Sequence, residues 1–502
     1  MKVRGASTSC PRLPLDAITV SREAGIPINQ QIYQQIRLMI LNRTLPADTR
    51  LPSSRSFAAD LGVSRNTVMA AYAQLETEGY VESRQGSSTN VVDLPLRSER
   101  EQAAGFPQVL YHLSQRGQQM MSRRTHNFSF PGQPSLLPGI PDIRHFPFAV
   151  WRRLLLRRLQ PGGEDVFGYH HVTGYPPLKE VIARYLEASR GVRCRPEQVI
   201  IISGAQAAFD LLSRILLDPG DGVWIEEPGY PGAQAAFQAA GAAMLPLYVD
   251  ETGWNLRKPA NTPVRLIYVT PSCQSPLGMT MRMEQRLQLI DIAQKENAWI
   301  VEDDFDGEYR FAGRPIPAMQ GNDPTGRTIY VGTFSKTLFP ALRLGFMVLP
   351  PELAEKAGLA MFLTGQSAPL ILQGALSDFI AEGYFSDHLG RMRRLYAKRR
   401  EAFHELCNAC LGDWLQPVAS DSGIQSLWLL ADGHNDRDIE EAARKRSVVV
   451  TALSSHYRHS SPRNGLIFGY TALDEKTMKT ELNQMRCTFI DMESRASASS
   501  RN

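Results

Sequence analysis

The chain has 502 residues, 43% of them apolar and 21% charged, which supports large folded cores, predicts two to four domains at about 100–200 residues each, and excludes disorder along the whole length. Its 55 Lys and Arg face 51 Asp and Glu, a balance that excludes a chain-wide polybasic coat but leaves room for a local DNA-reading surface. With no apolar run near the ~18–20 residues of a membrane span, no secretory-type apolar stretch in residues 1–25 and no disulfide framework from six cysteines, the expectation is a cytoplasmic protein.

Residues 1–26 form an N-terminal extension, and 27–92 read as one small module. Ile32, Ile36, Met39 and Ile40 recur at helical spacing, which predicts an amphipathic helix over 28–42. Leu45-Pro46-Ala47-Asp48 breaks it. Pro52-Ser53-Ser54 opens a second short helix. Ser64 caps a third, with Val68, Ala71, Tyr72 and Leu75 on one face and Gly79 at its end. Two extended pieces, 80–83 and 89–92, flank Arg84-Gln85-Gly86-Ser87-Ser88. Three helices followed by a hairpin is the order of a winged helix-turn-helix. Such a module lays its second recognition-motif helix in the major groove. Here that helix opens Ser64-Arg65-Asn66-Thr67: Arg can bond guanine, Asn adenine, and Ser or Thr a phosphate oxygen. Arg55 sits where a backbone phosphate contact is expected, and Arg84, Ser87 and Thr89 fit a wing tip. Residues 27–94 hold six basic and six acidic side chains. Binding therefore needs the basic ones on one face and two modules per DNA site. A three-helix domain serving protein contacts is the competing reading.

Residues 93–125 read as a linker. From 126 to 487, short apolar strands alternate with helices: strands at 199–203, 222–226, 264–270, 299–303 and 328–332, helices at 205–217, 231–240 and 284–296. This predicts an α/β domain with a mainly parallel sheet. A long basic helix begins near residue 390, a smaller α+β subdomain closes the domain, and 488–502 is expected to be a flexible tail.

The chemistry sits in the α/β region. Gly332-Thr333-Phe334-Ser335-Lys336, then Arg343, sets a lysine, two hydroxyls and a guanidinium at a strand end, a pattern suited to a Schiff base beside a phosphate. Asp303 ends a buried strand, where a carboxylate can keep a pyridine nitrogen protonated. Ala205 and Gln206 open a helix after Gly204, offering backbone N–H groups to a phosphate. Tyr230 offers an aromatic face to a cofactor ring. The alternative for Glu302, Asp303, Asp304 and Asp306 is a solvated turn or a Mg²⁺ site. Cys407 and Cys410 read as small residues of an amphipathic helix, and the alternating basic and apolar residues of 151–158 as a solvated face, with a path for bent DNA as the other option.

These motifs carry two resemblances. The run 51–68, with Ala71-Tyr72 and Glu78-Gly79-Tyr80, resembles the DNA-binding domain of GntR-type bacterial regulators, except that the wing reads Gly86-Ser87-Ser88-Thr89 where Gly-Ser-Gly-Thr is common. Residues 125–485 resemble fold-type I aminotransferases, which bind pyridoxal 5′-phosphate. Glu227-Pro-Gly-Tyr-Pro-Gly232, Tyr268-Val-Thr-Pro-Ser272, Val331-Gly-Thr-Phe-Ser-Lys336 and Phe339-Pro-Ala-Leu-Arg343 agree with the MocR subfamily, in which such a body is fused to a GntR-type head. The resemblance implies a Schiff base at Lys336, a pyridinium contact from Asp303, stacking by Tyr230, and phosphate binding by Arg343, Thr333, Ser335, Ala205 and Gln206. It also implies a head-to-tail homodimer that presents two reading helices to two half-sites.

Departures temper the implied activity. Phe305 stands where the subfamily usually has Tyr, Ser275 where aminotransferases often have Asn, and Cys273-Gln274 where the subfamily has His-Gln. Ile467 occupies the place where aminotransferases carry the arginine that holds the substrate carboxylate. Lost hydrogen bonds and lost positioning predict Schiff-base formation with poor transamination. The expected function is a cytoplasmic, nucleoid-associated transcription regulator. Its signal is the cofactor itself, with vitamin B6 genes as targets, or an amine or amino acid (of the γ-aminobutyrate or taurine kind) joined to it. A working aminotransferase with a secondary DNA-binding head is the alternative. No metal is expected.

Overall fold

The computed structural model describes residues 18–83, 88–94, 113–122, 136–162, 164–168, 170–258, 262–313 and 316–499. The chain divides into two compact units, Met1–His112 and Leu113–Asn502.

The first unit follows the predicted order closely. Helices α1 (Ile28–Leu41), α2 (Ser54–Asp60) and α3 (Arg65–Thr77) precede β1 (Val81–Ser83) and β2 (Thr89–Val91). The two strands pair antiparallel, with Val81 opposite Val91. Serines start both later helices: Ser53 Oγ accepts from Ser56 N, and Ser64 Oγ from Thr67 N, each at 3.1 Å. Each satisfies an amide that has no acceptor within the helix. Ile32, Ile36, Phe57, Val68, Ala71 and Leu75 make the core, all fully buried. Glu78 accepts from Tyr33 Oη, and Arg37 Nε donates to Tyr80 Oη at 2.8 Å, which braces the end of α3 against α1. Residues 18–26, part of the N-terminal extension, pack on this unit. Ile18 is buried with the core, and Thr19 N donates to Gln35 Oε1 at 3.0 Å.

The second unit begins within the expected linker, where residues Gln115–Ser122 form helix α4. Then come α5 (Phe148–Arg158), α6 (Pro176–Arg190), β3 (Val199–Ile202), α7 (Ala205–Leu216), β4 (Gly222–Glu227), α8 (Pro231–Ala239), β5 (Ala243–Asp250), β6 (Gly253–Trp254), β7 (Val264–Val269), α9 (Met283–Glu296), β8 (Trp299–Asp304), β9 (Thr328–Thr333) and β10 (Gly345–Val348). Among the described residues these strands form one sheet in the order β3-β10-β9-β8-β7-β4-β5-β6. The run β9-β8-β7-β4-β5 is parallel, while β10 lies antiparallel between β9 and β3. Helices bury both faces of the central strands, so these read as unbroken apolar runs rather than alternating ones. The five expected strands are present within one residue of their ends; β5, β6 and β10 were not expected.

Helices α10 (Pro351–Thr364), α11 (Leu370–Ala381) and α12 (Tyr384–Leu411) lead to the smaller subdomain. It contains β11 (Leu415–Pro417), β12 (Gln425–Leu430), α13 (Asp436–Lys445), β13 (Thr451–Ala452), β14 (Gly465–Gly469) and α14 (Glu475–Ser499). Its antiparallel sheet has the order β11-β12-β14-β13. Helix α14 runs through the boundary placed at 487, because Met478, Leu482, Met485 and Phe489 continue one buried stripe. The expected tail is therefore helical to Ser499.

Candidate cofactor site and DNA-reading face

Parallel strands aim their carboxyl ends at one edge of the sheet, where ligands of open α/β folds gather. β8 ends there with Asp303 and Asp304, and β9 ends three residues before Lys336. Half-buried Lys336 donates from Nζ to the Gly139 carbonyl at 2.7 Å. Burial lowers its affinity for a proton, while Asp306 and Asp303 pull it back. Gly139 has φ +74° and leaves room for the amine: a Cβ there would lie 2.6 Å from Nζ.

Asp303 is 3% exposed, and its Oδ2 accepts from Tyr268 Oη at 2.7 Å. Its Oδ1 is buried with no partner. Burial pushes this carboxyl up to about 7. An orphaned carboxylate oxygen is costly unless something arrives to use it.

The acidic cluster is not a solvated turn: Glu302, Asp303, Asp304 and Asp306 are all buried. Each member has its own buried task. Glu302 accepts the Met319 and Gln320 amides at 2.7 and 2.9 Å. Asp304 pairs with Arg190 at 2.5 Å and accepts from Tyr330 Oη at 2.6 Å. Asp306 accepts from Ile424 N of the smaller subdomain at 2.8 Å and keeps Oδ1 unpartnered. Among the described residues no group of three or more His, Cys, Asp or Glu is placed to hold a metal.

Hydrogen-bond donors gather near the start of α7. Gly204 precedes the helix with φ +90°, and the first-turn amides of Ala205 and Gln206 have no intrahelical acceptor. A Cβ at Gly204 would lie 3.8 Å from the Arg343 guanidinium carbon. Arg343 is exposed, sits at φ +50°, and makes no ion pair among the described residues. Gln206 Nε2 donates to Gly232 O at 2.9 Å, and a Cβ at Gly232 would meet both the Tyr230 ring and Gln206. Gln206 is thus held by protein, beside the Tyr230 ring. Tyr230 precedes α8, is 38% exposed and contacts Phe209 edge-on at 6.5 Å. Thr333 Oγ1 accepts from Ser335 N at 3.1 Å, which fixes the turn ahead of Lys336.

The departures from the family pattern also have places. Phe305 is half-buried just beyond β8. Ser275 is 6% exposed, and its N–H donates to Thr270 Oγ1 at 3.0 Å. Cys273 is buried, its thiol pushed up to about 12 by that burial. Gln274 ties two loops together, donating to Pro228 O at 2.8 Å and accepting from Leu277 N at 2.9 Å. Ile467 is 1% exposed on β14, opposite Leu427, within the apolar cluster of Trp224 and Leu453. That position is filled by core packing.

Sequence reasoning missed three site residues. Gly139 and Tyr268 are brought in by folding, and Asp306 was read only as part of an acidic run. A glycine in Pro138-Gly-Ile-Pro141 is the one local signal for the first.

On the first unit, Arg55, Ser64, Arg65 and Asn66 are exposed along α2 and the start of α3. Arg65 Nε donates to Ser54 Oγ at 3.4 Å. Ser64 and Thr67 are occupied with each other, Oγ to Oγ1 at 2.7 Å, besides capping the helix. Half-buried Thr89 starts β2 and accepts from Leu51 N through its carbonyl at 2.9 Å. Arg84 and Ser87 lie outside the described residues. On α5, Arg157 and Arg158 pair with Asp378 and Glu382, and Arg153 donates to Tyr384 Oη at 2.7 Å. Three of its basic groups are thereby tied down. Cys407 is buried in the core of the smaller subdomain.

Residues 28–91 match the family described as "Bacterial regulatory proteins, gntR family", and 141–467 match "Aminotransferase class I and II". The chain is 49% identical over 95% of its length to "Probable rhizopine catabolism regulatory protein MocR" of Rhizobium meliloti, covering 97% of that protein. It is 30% identical to the "HTH-type pyridoxine biosynthesis transcriptional regulator PdxR" of Corynebacterium glutamicum, over 91% of this chain and 95% of that one. Among solved structures it is similar to the α-aminoadipate aminotransferase LysN of Thermus thermophilus, crystallised with a phosphopyridoxyl-leucine. The TM-score is 0.66 at 25% identity, over 72% of this chain and 93% of that one. It is also similar to the kynurenine aminotransferase of Pyrococcus horikoshii, with a TM-score of 0.67 at 26% identity over 78% and 98%.

Proposed function

We propose, from the premise that the chain belongs to the MocR-type family of GntR transcription regulators with an aminotransferase-like body, that its DNA binding responds to pyridoxal 5′-phosphate held through Lys336. The observation that carries this is the unpartnered, buried Oδ1 of Asp303 at the same sheet edge as Lys336. A protonated pyridine nitrogen is the group that such an oxygen suits. The residues present fit the cofactor: Lys336 to hold its aldehyde carbon, Asp303 its ring nitrogen, Tyr230 its ring face, and Arg343 with the α7 amides its phosphate. When bound, the cofactor supplies an electrophilic carbon that amines can reach. The chain's own groups hold it in register, and Asp303 keeps the ring proton in place.

The same reading assigns Arg55, Arg65 and Asn66 to DNA, with Thr89, Arg84 and Ser87 at the wing. Two copies of the chain, arranged head to tail, would offer two such faces to an operator with two half-sites. Efficient transamination is not favoured, because Ile467 leaves no arginine at its position and Phe305 has no hydroxyl.

The test is a binding titration on the DNA upstream of the chain's own gene, with apo-protein, with added pyridoxal phosphate, and with Lys336→Ala. The visible absorption of bound cofactor is followed in the same samples. The expected result is a cofactor-dependent change of affinity or footprint in the wild type and none in the variant. An affinity indifferent to the cofactor while the visible band forms would sink the sensor role.

A further inference from the structure

Resting on the assignment of α3 to DNA, we infer that this helix reads a thymine through its C5 methyl group, which Met69 covers, and that hydrogen-bonded base readout by α3 falls to Arg65 and Asn66. Val68, Ala71, Tyr72 and Leu75 turn into the core, so the opposite side of the helix is the one a groove can meet. Most polar side chains on and around that side are already engaged within the module. Ser64 and Thr67 hold each other at 2.7 Å. Gln74 Nε2 donates to Glu78 Oε1 at 3.1 Å, and Glu76 Oε1 accepts from Ser83 N of β1 at 3.2 Å. Thr77 Oγ1 donates back to the Ala73 carbonyl at 2.7 Å. A base edge offered to any of these would have to break a bond that the module makes to itself. Arg65 spends only Nε, on Ser54 Oγ at 3.4 Å, and Asn66 is exposed beside it.

Beyond those two residues the outward surface is apolar. It consists of Met69, which is 46% exposed, with Ala70 and Ala73. Met69 follows Arg65 by four residues, on the same side and about 6 Å further along the helix. That is roughly two base-pair steps of ~3.4 Å. The two alanines carry no bulk to hold the helix away from the groove floor. Of the groups that base pairs display in the major groove, the thymine methyl is the one with no hydrogen-bonding capacity. It is therefore the one that Met69 can cover without stranding a donor or an acceptor. An adenine, guanine or cytosine edge at the same place would lose its water and gain no partner.

The experiment uses the full-length protein with pyridoxal phosphate present. Binding sites are selected from a random duplex pool by the wild type and by Met69→Ala. Each thymine of the wild-type site is then replaced singly by deoxyuridine, which removes one methyl group and nothing else. One thymine in each half-site is expected to show about fourfold weaker wild-type binding on replacement, the worth of one buried methyl. Met69→Ala is expected to bind the thymine and deoxyuridine duplexes alike, and its selected sites to lose their preference at that position alone. The inference is overturned if no single replacement weakens wild-type binding by about twofold or more, or if Met69→Ala keeps the discrimination. It is also overturned if the variant loses preference at several positions, which would make Met69 a support of the helix. The wild-type series decides the methyl contact even where the variant does not bind. A wild-type protein that enriches no sequence fails at the earlier step and sinks the assignment of α3 to DNA itself.

Discussion

Ionising Asp303 carries a cost, and that cost should be visible in the apo-protein. Burial raises its carboxyl to about 7, so between about pH 4 and 7 the folded chain binds more protons than the unfolded one. Stability then falls as pH rises through this window and is level above it. Glu226, Glu302 and Asp306 share the same direction, each raised to about 7. We predict that the melting temperature of the apo-protein drops between pH 5 and pH 8. Asp303→Asn should shrink that drop by about 2–4 °C, and saturating pyridoxal phosphate should shrink it in the wild type. A drop of equal size in wild type and variant, read by calorimetry, would refute the assignment of this cost to Asp303. The lysine and this aspartate were legible from the sequence because each sits at the end of an apolar run. Asp306 was not: its neighbours suggest a solvated turn, and only the Ile424 amide, 118 positions away, shows that it is covered.

At the scale of elements, two helix starts carry the proposed chemistry. Gly204 needs its positive φ of +90°, and a Cβ there would approach Arg343. Gly204→Ala should cost about 1–3 kcal/mol of stability. It should also raise the apparent dissociation constant for pyridoxal phosphate, measured by titrating the visible band, while the DNA-binding unit keeps its fold. On α3, Ser64→Ala removes the acceptor of Thr67 N. The expected loss is about 1 kcal/mol of helix stability, seen as faster hydrogen exchange of the α3 amides and weaker DNA binding. Unchanged exchange would show that the cap is dispensable. The helices of the first unit were legible because their periodicity, caps and breaks agree. Strands β5 and β10 were not. Leu245-Pro246-Leu247 hides a strand behind a proline, and β10 is only four residues long, made a strand by its pairing with β3 and β9.

At the scale of the whole molecule, the neutral balance of residues 27–94 limits what one reading head can do. On the proposed reading, few phosphate contacts are available per head, and affinity comes from engaging two half-sites together. We predict that a duplex with both half-sites binds at least about a hundredfold tighter than one with a single half-site, and that binding weakens as salt is raised. Equal affinity for the two duplexes, measured at fixed salt, would refute the two-headed arrangement.

The sequence by itself determined the identity and order of the local elements. It also determined the two modules and the residue types gathered at the Lys336 strand end, because periodicity, capping and turn chemistry act over a few neighbouring residues. Only the tertiary structure decided which groups meet across the chain. The Gly139 carbonyl reaches Lys336 across 197 positions. Tyr268 takes one oxygen of Asp303 and leaves the other free, and Ile467 turns into a core. Those outcomes depend on burial, which is a property of the packed whole: a carboxyl that ionises readily in water holds its proton more tightly once protein has replaced its solvent.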